Sequence, residues 1–300
     1  MINATLPVKR PMILLRPPGT TICPRRDDDT CPNPPTTDKT VEMPESDEIA
    51  PRVRIVSWNI HGAARPDLHD LARVLSDFDA DIIGLQEVRR HQAKRLSRLL
   101  GMHCIWTFKH NGYSRLLPRY AEGLAIISRW SLDHDGDAEL SDGRPRNDFR
   151  RRVATWATVD HPDVRFVVAN THLAAHDLAD ERQRQSKKLA TFVNDGFPCH
   201  HHVSHVPLAT VITGDLNDHD EPEVVATIVG SHLKDAWVAA IARSRNGSTN
   251  PSAVPHQRLD HVLIPHGWTP HEVRVPDPTP EWETRSDHLP VFVIAQMRSK

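Results

Sequence analysis

Residues 53–59, Val53-Arg54-Ile55-Val56-Ser57-Trp58-Asn59, alternate as an apolar strand should and end on an amide. Gly62 then permits a turn. Leu68, Leu71, Leu75 and Phe78 recur at helical spacing behind Asp67, a residue type suited to an N-cap. A buried strand follows, Asp81-Ile82-Ile83-Gly84-Leu85-Gln86-Glu87, and it ends on a carboxylate. The pattern next predicts a helix over about 92–100, stopped by Gly101. Two strand–helix alternations in succession argue for a layered α/β domain.

The middle of the chain is richer in strands. Residues 123–128, 153–159 and 164–170 read as strands, with His161-Pro162-Asp163 as a hairpin turn between the last two. A helix is predicted over 178–194, a strand at Val211-Ile212-Thr213-Gly214, a short helix over 221–229, and closing strands at 259–264 and 289–295. The Gly-, Asp- and Arg-rich stretch 131–150 reads as a surface loop, as does the polar stretch 242–257. No internal repeat at a solenoid period is present.

Composition sets limits around this pattern. Residues 1–50 are rich in Pro, Thr, Asp and Glu and carry no apolar period. Such a segment buries too little surface to offset its ordering entropy. A disordered, Pro-rich extension over 1–50 is expected, followed by a catalytic domain over 51–298. The formal charge of -2 over 300 residues excludes the strongly basic footprint of a dedicated nucleic-acid binder. Cys23, Cys31, Cys104 and Cys199 are scattered, without zinc spacing or a disulfide framework, which fits a reducing interior. No apolar run approaches the ~20 residues of a membrane span, and Met12-Ile13-Leu14-Leu15 is too short and too proline-flanked for a signal-peptide core. A soluble cytoplasmic protein is expected, with a monomer compatible with everything above.

The candidate chemistry sits beside the strands. Asn59 and Glu87 end the first two, and Asn170-Thr171-His172 follows the strand over 164–170. Asp215 and Asn217 end the next strand, on alternate positions that face the same way in extended chain. Asp260 opens its strand, and Asp287-His288 immediately precedes the last one. Each has a bland reading as a cap, a turn or a solvated acid; Gly214-Asp215-Leu216-Asn217 alone would suit a turn. Six recurrences beside buried strands argue against coincidence, because buried polar groups need partners.

The ordered series Ser57-Trp58-Asn59, Gln86-Glu87, Asn170-Thr171-His172-Leu173, Gly214-Asp215-Leu216-Asn217, Arg258-Leu259-Asp260-His261 and Ser286-Asp287-His288 resembles the endonuclease/exonuclease/phosphatase superfamily over residues 52–297. That is the fold shared by DNase I, exonuclease III, neutral sphingomyelinases and inositol-polyphosphate 5-phosphatases. The resemblance implies an α/β fold of four layers, α/β/β/α: two mostly antiparallel sheets packed together and flanked by helices. The strand pattern by itself does not choose this over a single open sheet.

The resemblance also implies roles. Glu87 would be the principal ligand of Mg²⁺ or Mn²⁺, with Asn59 and Asp287 in or near the coordination sphere, and oxygen donors suit such hard ions. Asp215 would orient or deprotonate the attacking water, and Asn217 would hold a phosphoryl oxygen. His288, oriented by Asp260, would bind the phosphate or act as acid/base, and His172 would donate to the phosphate. Abasic-site endonucleases of the superfamily carry Asn-x-Tyr-x-Pro where this chain has Asn170-Thr171-His172-Leu173, which argues against an exonuclease III-type repair role. Asp218-His219-Asp220 stands where a 5-phosphatase would carry a basic signature.

Other features have two readings each. Arg89, Arg90, Lys94, Arg95, Arg98, Lys109, Arg115 and Arg119 form a basic region that is either a solvated helix face or a guide for a nucleic-acid backbone. In Arg150-Arg151-Arg152, one arginine is a candidate phosphate contact. His200-His201-His202, with Cys199 and His205, reads as an incidental polar tract rather than a transition-metal site. The leading expectation is a metal-dependent phosphodiesterase or nuclease acting on a phosphate-ester substrate. The alternatives are a phosphomonoesterase, a sphingomyelinase-like lipid phosphoesterase, or a binding protein that kept the fold and lost catalysis.

Overall fold

The structure is a computed structural model that describes residues 50–111, 120–146, 148–175, 177–197, 208–218 and 223–298. The expected N-terminal extension, but for Ala50, and the His200–His202 tract with Cys199 and His205 lie outside these residues.

Two mixed sheets pack face to face between two layers of helices, as the resemblance implied. The first has seven strands, in the order β10 (Ala242–Arg243), β12 (Thr269–Arg274), β13 (Val291–Gln296), β1 (Arg52–Asn59), β2 (Ile82–Arg89), β4 (Ala121–Ser128), β3 (His103–Asn111). The second has six: β5 (Leu132–Glu139), β6 (Val153–Asp160), β7 (Arg165–His172), β8 (Ala209–Asp215), β11 (Asp260–Pro265), β9 (Leu233–Asp235). Among the described residues, only β10–β12, β1–β2 and β7–β8 pair in parallel.

Alternation along the strands assigns the layers. Val53 and Ile55 of β1 join Ile82, Ile126, Phe166, Val168, Val211, Val262 and Ile264 in the core between the sheets. The alternate residues Val56, Trp58, Ile83 and Leu85 pack outward on Leu71, Leu75 and Leu96. Those leucines belong to α1 (Leu68–Asp77) and α2 (Arg90–Leu100). Across the molecule, Val167, Ala169 and Ile212 pack on Leu189, Val193, Val224 and Ile228, from α3 (Ala179–Asp195) and α4 (Glu223–Val229). The Asp67 carboxylate accepts from the His69 N–H and caps α1, and Gly101 closes α2 at φ 66°, a conformation glycine adopts without a Cβ penalty. Two further helices, α5 (Ala236–Ala239) and α6 (Pro280–Arg285), are short.

Several elements differ from expectation. Residues 131–150 are not wholly a loop, because Leu132–Glu139 form β5. β5 is the end strand of its sheet, paired on one side only, so polar side chains are tolerated along it and no apolar alternation marks it. β3 and β12 escape the pattern for the same reason: each is half-buried at or near a sheet edge. Within 242–257, Ala242–Arg243 form the edge strand β10.

Candidate active site

Followed toward one end of the sandwich, the inward-facing row of each central strand changes from apolar to polar. It runs Val53, Ile55, Ser57, Asn59 on β1 and Ile82, Gly84, Gln86 on β2. It runs Phe166, Val168, Asn170, His172 on β7, Val211, Thr213, Asp215 on β8, and Ile264, Val262, Asp260 on β11. The middle positions zip the sheets together with hydrogen bonds. Gln86 Nε2 donates to Asn170 Oδ1 at 2.7 Å, Asn170 Nδ2 to the carbonyls of Leu85 and Ala125, and the Gly214 N–H to Ser57 Oγ at 3.0 Å. These buried hydrogen bonds fix the relative position of the two sheets, and the last position of each row forms the site.

Register sets the row. His172 pairs with Asp215, which pairs with Asp260, across three adjacent strands. From the opposite sheet, Asn59 Nδ2 donates to Asp215 Oδ2 at 3.0 Å and to Glu87 Oε1 at 3.2 Å. Glu87 is aimed by a β-bulge: the β2–β4 register slips between Leu85 and Val88, and Glu87 sits at φ 52°, a left-handed conformation that few non-glycine residues adopt. Such backbone strain clusters at functional sites.

The loop before β13 closes the far side. Ser286 Oγ donates to the Asn59 carbonyl at 2.7 Å, and Trp58 Nε1 to the His288 carbonyl at 3.0 Å. His288 Nδ1 then lies 2.7 Å from Asp260 Oδ2, and its Nε2 lies 3.8 Å from Asp215 Oδ2. Asp287 is linked to Asn59 through His61: its Oδ2 lies 3.3 Å from His61 Nδ1, and the His61 N–H donates to Asn59 Oδ1. Asn217, at φ 51°, donates Nδ2 to the Leu173 carbonyl and its backbone N–H to Asp215 Oδ1. One amide N–H of Asn217 remains for a ligand.

Asn59, Asp215, Asp260, His172 and His288 are all buried, whereas Glu87 keeps about a quarter of its side chain exposed and Asp287 about half. Burial raises the Asp215 carboxyl to about 6, although the nearby His288 works in the opposite direction. For His288, burial opposes the charged form, but Asp260 and Asp215 outweigh it and raise the imidazole to about 10. His172 moves the other way, well below the usual histidine value, through burial and the adjacent Lys109 and Arg152 cations.

Two groups of ligand-type side chains converge here: Glu87, Glu122 and His172, and Asp215, Asp260 and His288. The second is already bridged by the His288 imidazole. The first surrounds the Lys109 ammonium, 2.5 Å from Glu122 Oε1 and 3.3 Å from His172 Nδ1. Glu87, Asn59 and Asp287 are a further set that could hold a metal. Glu87 offers partly exposed carboxylate oxygen, Asn59 a second lone pair on Oδ1, and Asp287 a further exposed carboxylate, an all-oxygen set suited to Mg²⁺ or Mn²⁺.

Lys109 and Glu122 are the functional neighbours that sequence reasoning missed. Lys109 read as part of a basic surface region, yet it is 1% exposed. Arg89 is buried as well and stacks over Tyr120, so neither belongs to a solvated face; Arg115 and Arg119 lie outside the described residues. Arg151 and Arg152 are buried and donate to backbone carbonyls of Phe108, Lys109, Phe149 and Leu173, and Arg151 Nε also donates to Glu139 Oε2 at 3.2 Å. They brace the site from behind.

The endonuclease/exonuclease/phosphatase family profile matches residues 56–288. The chain belongs to this family. Family membership makes it a hydrolase of phosphate esters. Its fold is also that of solved structures at low identity. An endonuclease/exonuclease/phosphatase family protein from Bacteroides thetaiotaomicron is 20% identical, with TM-score 0.66, over 82% of this chain and 95% of that one. A mannosyl-6-phosphatase from the same species is 22% identical, with TM-score 0.64, over 82% and 100%. TDP2 of D. rerio, complexed with a single-strand DNA product, is 16% identical, with TM-score 0.61, over 82% and 99%. Comparison with curated proteins by sequence gives no match. Among the described residues, no helix is long and apolar enough to cross a membrane.

Proposed function

We propose that residues 51–298 form a phosphodiesterase of the nuclease type that depends on Mg²⁺ or Mn²⁺. The observation that carries this reading is the convergence on Asp215. Its carboxylate is held by Asn59 at 3.0 Å and flanked by His172 at 3.7 Å and His288 at 3.8 Å. A base poised near neutrality beside two imidazoles suits activation of a water and stabilisation of phosphoryl charge.

Glu87, with Asn59 and Asp287, would hold the ion, which supplies charge neutralisation on the phosphoryl oxygens when bound. Asp215 orients the attacking water and takes its proton. His288, kept as imidazolium by Asp260, donates to a phosphoryl oxygen, as does His172 Nε2. The free N–H of Asn217 holds a second oxygen. Hydrolysis then needs positioning and preorganised charge more than covalent chemistry from the protein.

The diester preference rests on space and charge beyond the scissile phosphate. A cavity of about 470 Å³, lined by Arg65, Arg89, His91 and Tyr120 among others, opens two residues along the chain from Glu87. A phosphomonoesterase is the second reading, favoured by the burial of Lys109 and Arg89, which thins the surface available to a nucleic-acid strand. The mannosyl-6-phosphatase shows that the fold accommodates a phosphatase.

Hydrolysis of bis(p-nitrophenyl) phosphate against p-nitrophenyl phosphate decides between them, with Mg²⁺, Mn²⁺, EDTA and Glu87→Ala as controls. Diester preference abolished by EDTA is expected. A monoester preference would move the assignment to a phosphatase, and metal-independent activity would overturn the role of Glu87.

A further inference from the structure

β3 carries a bulge of its own. Its register against β4 slips between Phe108, opposite Gly123, and His110, opposite Glu122, so Lys109 is the extra residue. A bulge re-aims the side chain it carries. Here it turns a lysine into the space between the sheets, where its side chain is 2% exposed. Arg151 fixes the turn by donating to the Lys109 carbonyl at 2.6 Å.

The buried ammonium has two partners: Glu122 Oε1 at 2.5 Å and His172 Nδ1 at 3.3 Å. An ammonium only donates, so the imidazole nitrogen facing it must accept. We propose that Lys109, anchored by Glu122, is a positioning residue that locks His172 as the tautomer with its proton on Nε2, aimed at the phosphoryl site beside Asp215.

The geometry bears this out at both ring nitrogens. Nε2 lies 3.7 Å from Asp215 Oδ2, on the side where the substrate would sit. Nδ1 also lies 3.9 Å from Glu87 Oε1. Without Lys109, nothing at Nδ1 would require it to accept, so Nδ1 could carry the proton and Nε2 would be left as an acceptor facing the phosphate. Nδ1 faces a cation that can only donate, so of the two ring nitrogens Nε2 is the one placed to carry the proton. Glu122 pairs with the lysine at this depth, and a buried charge left without its partner is costly.

The test reads the tautomer directly. Nitrogen-15 NMR of the histidine rings in the metal-free protein, with His172 assigned through His172→Gln, is expected to show Nδ1 unprotonated and Nε2 protonated. Lys109→Met together with Glu122→Gln removes both charges, which guards against a fold lost to one unpaired charge. It is expected to move the proton toward Nδ1, and Lys109→Arg is expected to restore the Nε2–H form. By the usual effect of removing a group that orients a catalytic histidine, kcat should fall about 10- to 100-fold in the double variant with KM nearly unchanged. A protonated Nδ1 in the wild type, or an Nε2–H tautomer that survives the double variant, would overturn the inference. The rate arm rests on the phosphoesterase reading, whereas the NMR arm does not. A wild type that hydrolyses no phosphate ester therefore counts against that reading, and the ring spectrum still decides this one.

Discussion

Asp215 and Asp260 face each other as partners in the β8–β11 ladder, two buried carboxylates on the same side of one sheet. Like charges placed directly opposite destabilise a sheet. His288 answers both: its Nδ1 is 2.7 Å from Asp260 and its Nε2 is 3.8 Å from Asp215. The arrangement costs folding free energy where catalysis needs it, and it can be probed one group at a time.

Asp215→Asn should stabilise the metal-free protein while removing activity. The folded carboxyl, raised from 3.8 to about 6, holds its proton more tightly than the unfolded one. Its contribution to stability is therefore full below 3.8 and lost as pH rises through about 6. The amide removes that loss. The expected result is a higher Tm than wild type at mildly alkaline pH, with the gain shrinking toward acid, and a rate reduced about 10²–10⁴-fold. Thermal melts across pH check it. An equal or lower Tm at every pH would contradict burial as the cause of the shift.

Asp260→Asn should act through His288. The imidazole, raised from 6.5 to about 10, contributes stability that is full below 6.5 and lost as pH rises through about 10. Without the Asp260 charge the imidazolium is lost at lower pH. The alkaline limb of the kcat/KM profile should shift down, with the His288 ring titrating in parallel by NMR. An unmoved limb would show that His288 acts as a neutral group.

Glu87→Gln should keep the fold and lose metal binding, because the bulge and the Asn59 contact are backbone and amide features that a glutamine tolerates. Calorimetric titration with Mn²⁺ and melting with and without EDTA check this. The wild type should gain Tm with Mn²⁺ by linkage, and the variant should not. A variant still stabilised by Mn²⁺ would place the ion elsewhere.

How much of this was legible in the sequence follows from where each residue sits. Asn59, Glu87, His172, Asp215 and Asp260 stand at or near the ends of strands with strong apolar signals, so each could be singled out from the sequence, while their meeting at one site was implied only by the family resemblance. Lys109 could not be. It lies on an end strand with weak alternation, and only the slip against β4 turns it inward. A bulge is one added residue, invisible to a period-2 pattern. The depth of Arg151 and Arg152 was hidden for a related reason: composition marks charge but not burial, and most of their donors go to backbone carbonyls, with Glu139 a further partner of Arg151.

At Gly84 the two sheets approach closely. A Cβ there would collide with Thr213 Oγ1 and stand 3.2 Å from Asn170 Oδ1. Gly84→Ala should destabilise by about 1–3 kcal/mol or more, the usual cost of overpacking. Adding Thr213→Ala should recover part of this, because the Thr213 Cβ would still be 2.6 Å away. A double-mutant cycle by denaturant unfolding measures the coupling. Strict additivity would mean that the sheets separate freely at this level.

The loop carrying Ser286, Asp287 and His288 is held from outside the site. Arg285 Nε donates to Asp70 Oδ2 at 2.5 Å, tying the end of α6 to α1, and its guanidinium stacks 4.5 Å from the Trp282 ring. Trp282 in turn meets Trp58 edge-on at 5.9 Å, and Trp58 donates to the His288 carbonyl. Tension on the clamp thus reaches the imidazole by two routes. Arg285→Ala leaves Asp70 with Arg73, a partner more than half exposed, so the electrostatic loss at Asp70 is partial. The loss of the guanidinium from its buried site adds to it, and removal of a charge-assisted hydrogen bond costs about 1.5–3 kcal/mol. The expected variant folds, melts lower, and shows a reduced kcat because His288 no longer sits against Asp260. Arg285→Lys keeps the charge without the forked geometry and should recover stability more than rate. If both variants lost stability while kcat held at the wild-type value, the clamp would serve the fold alone, and the placement of His288 would rest on Ser286 and Trp58.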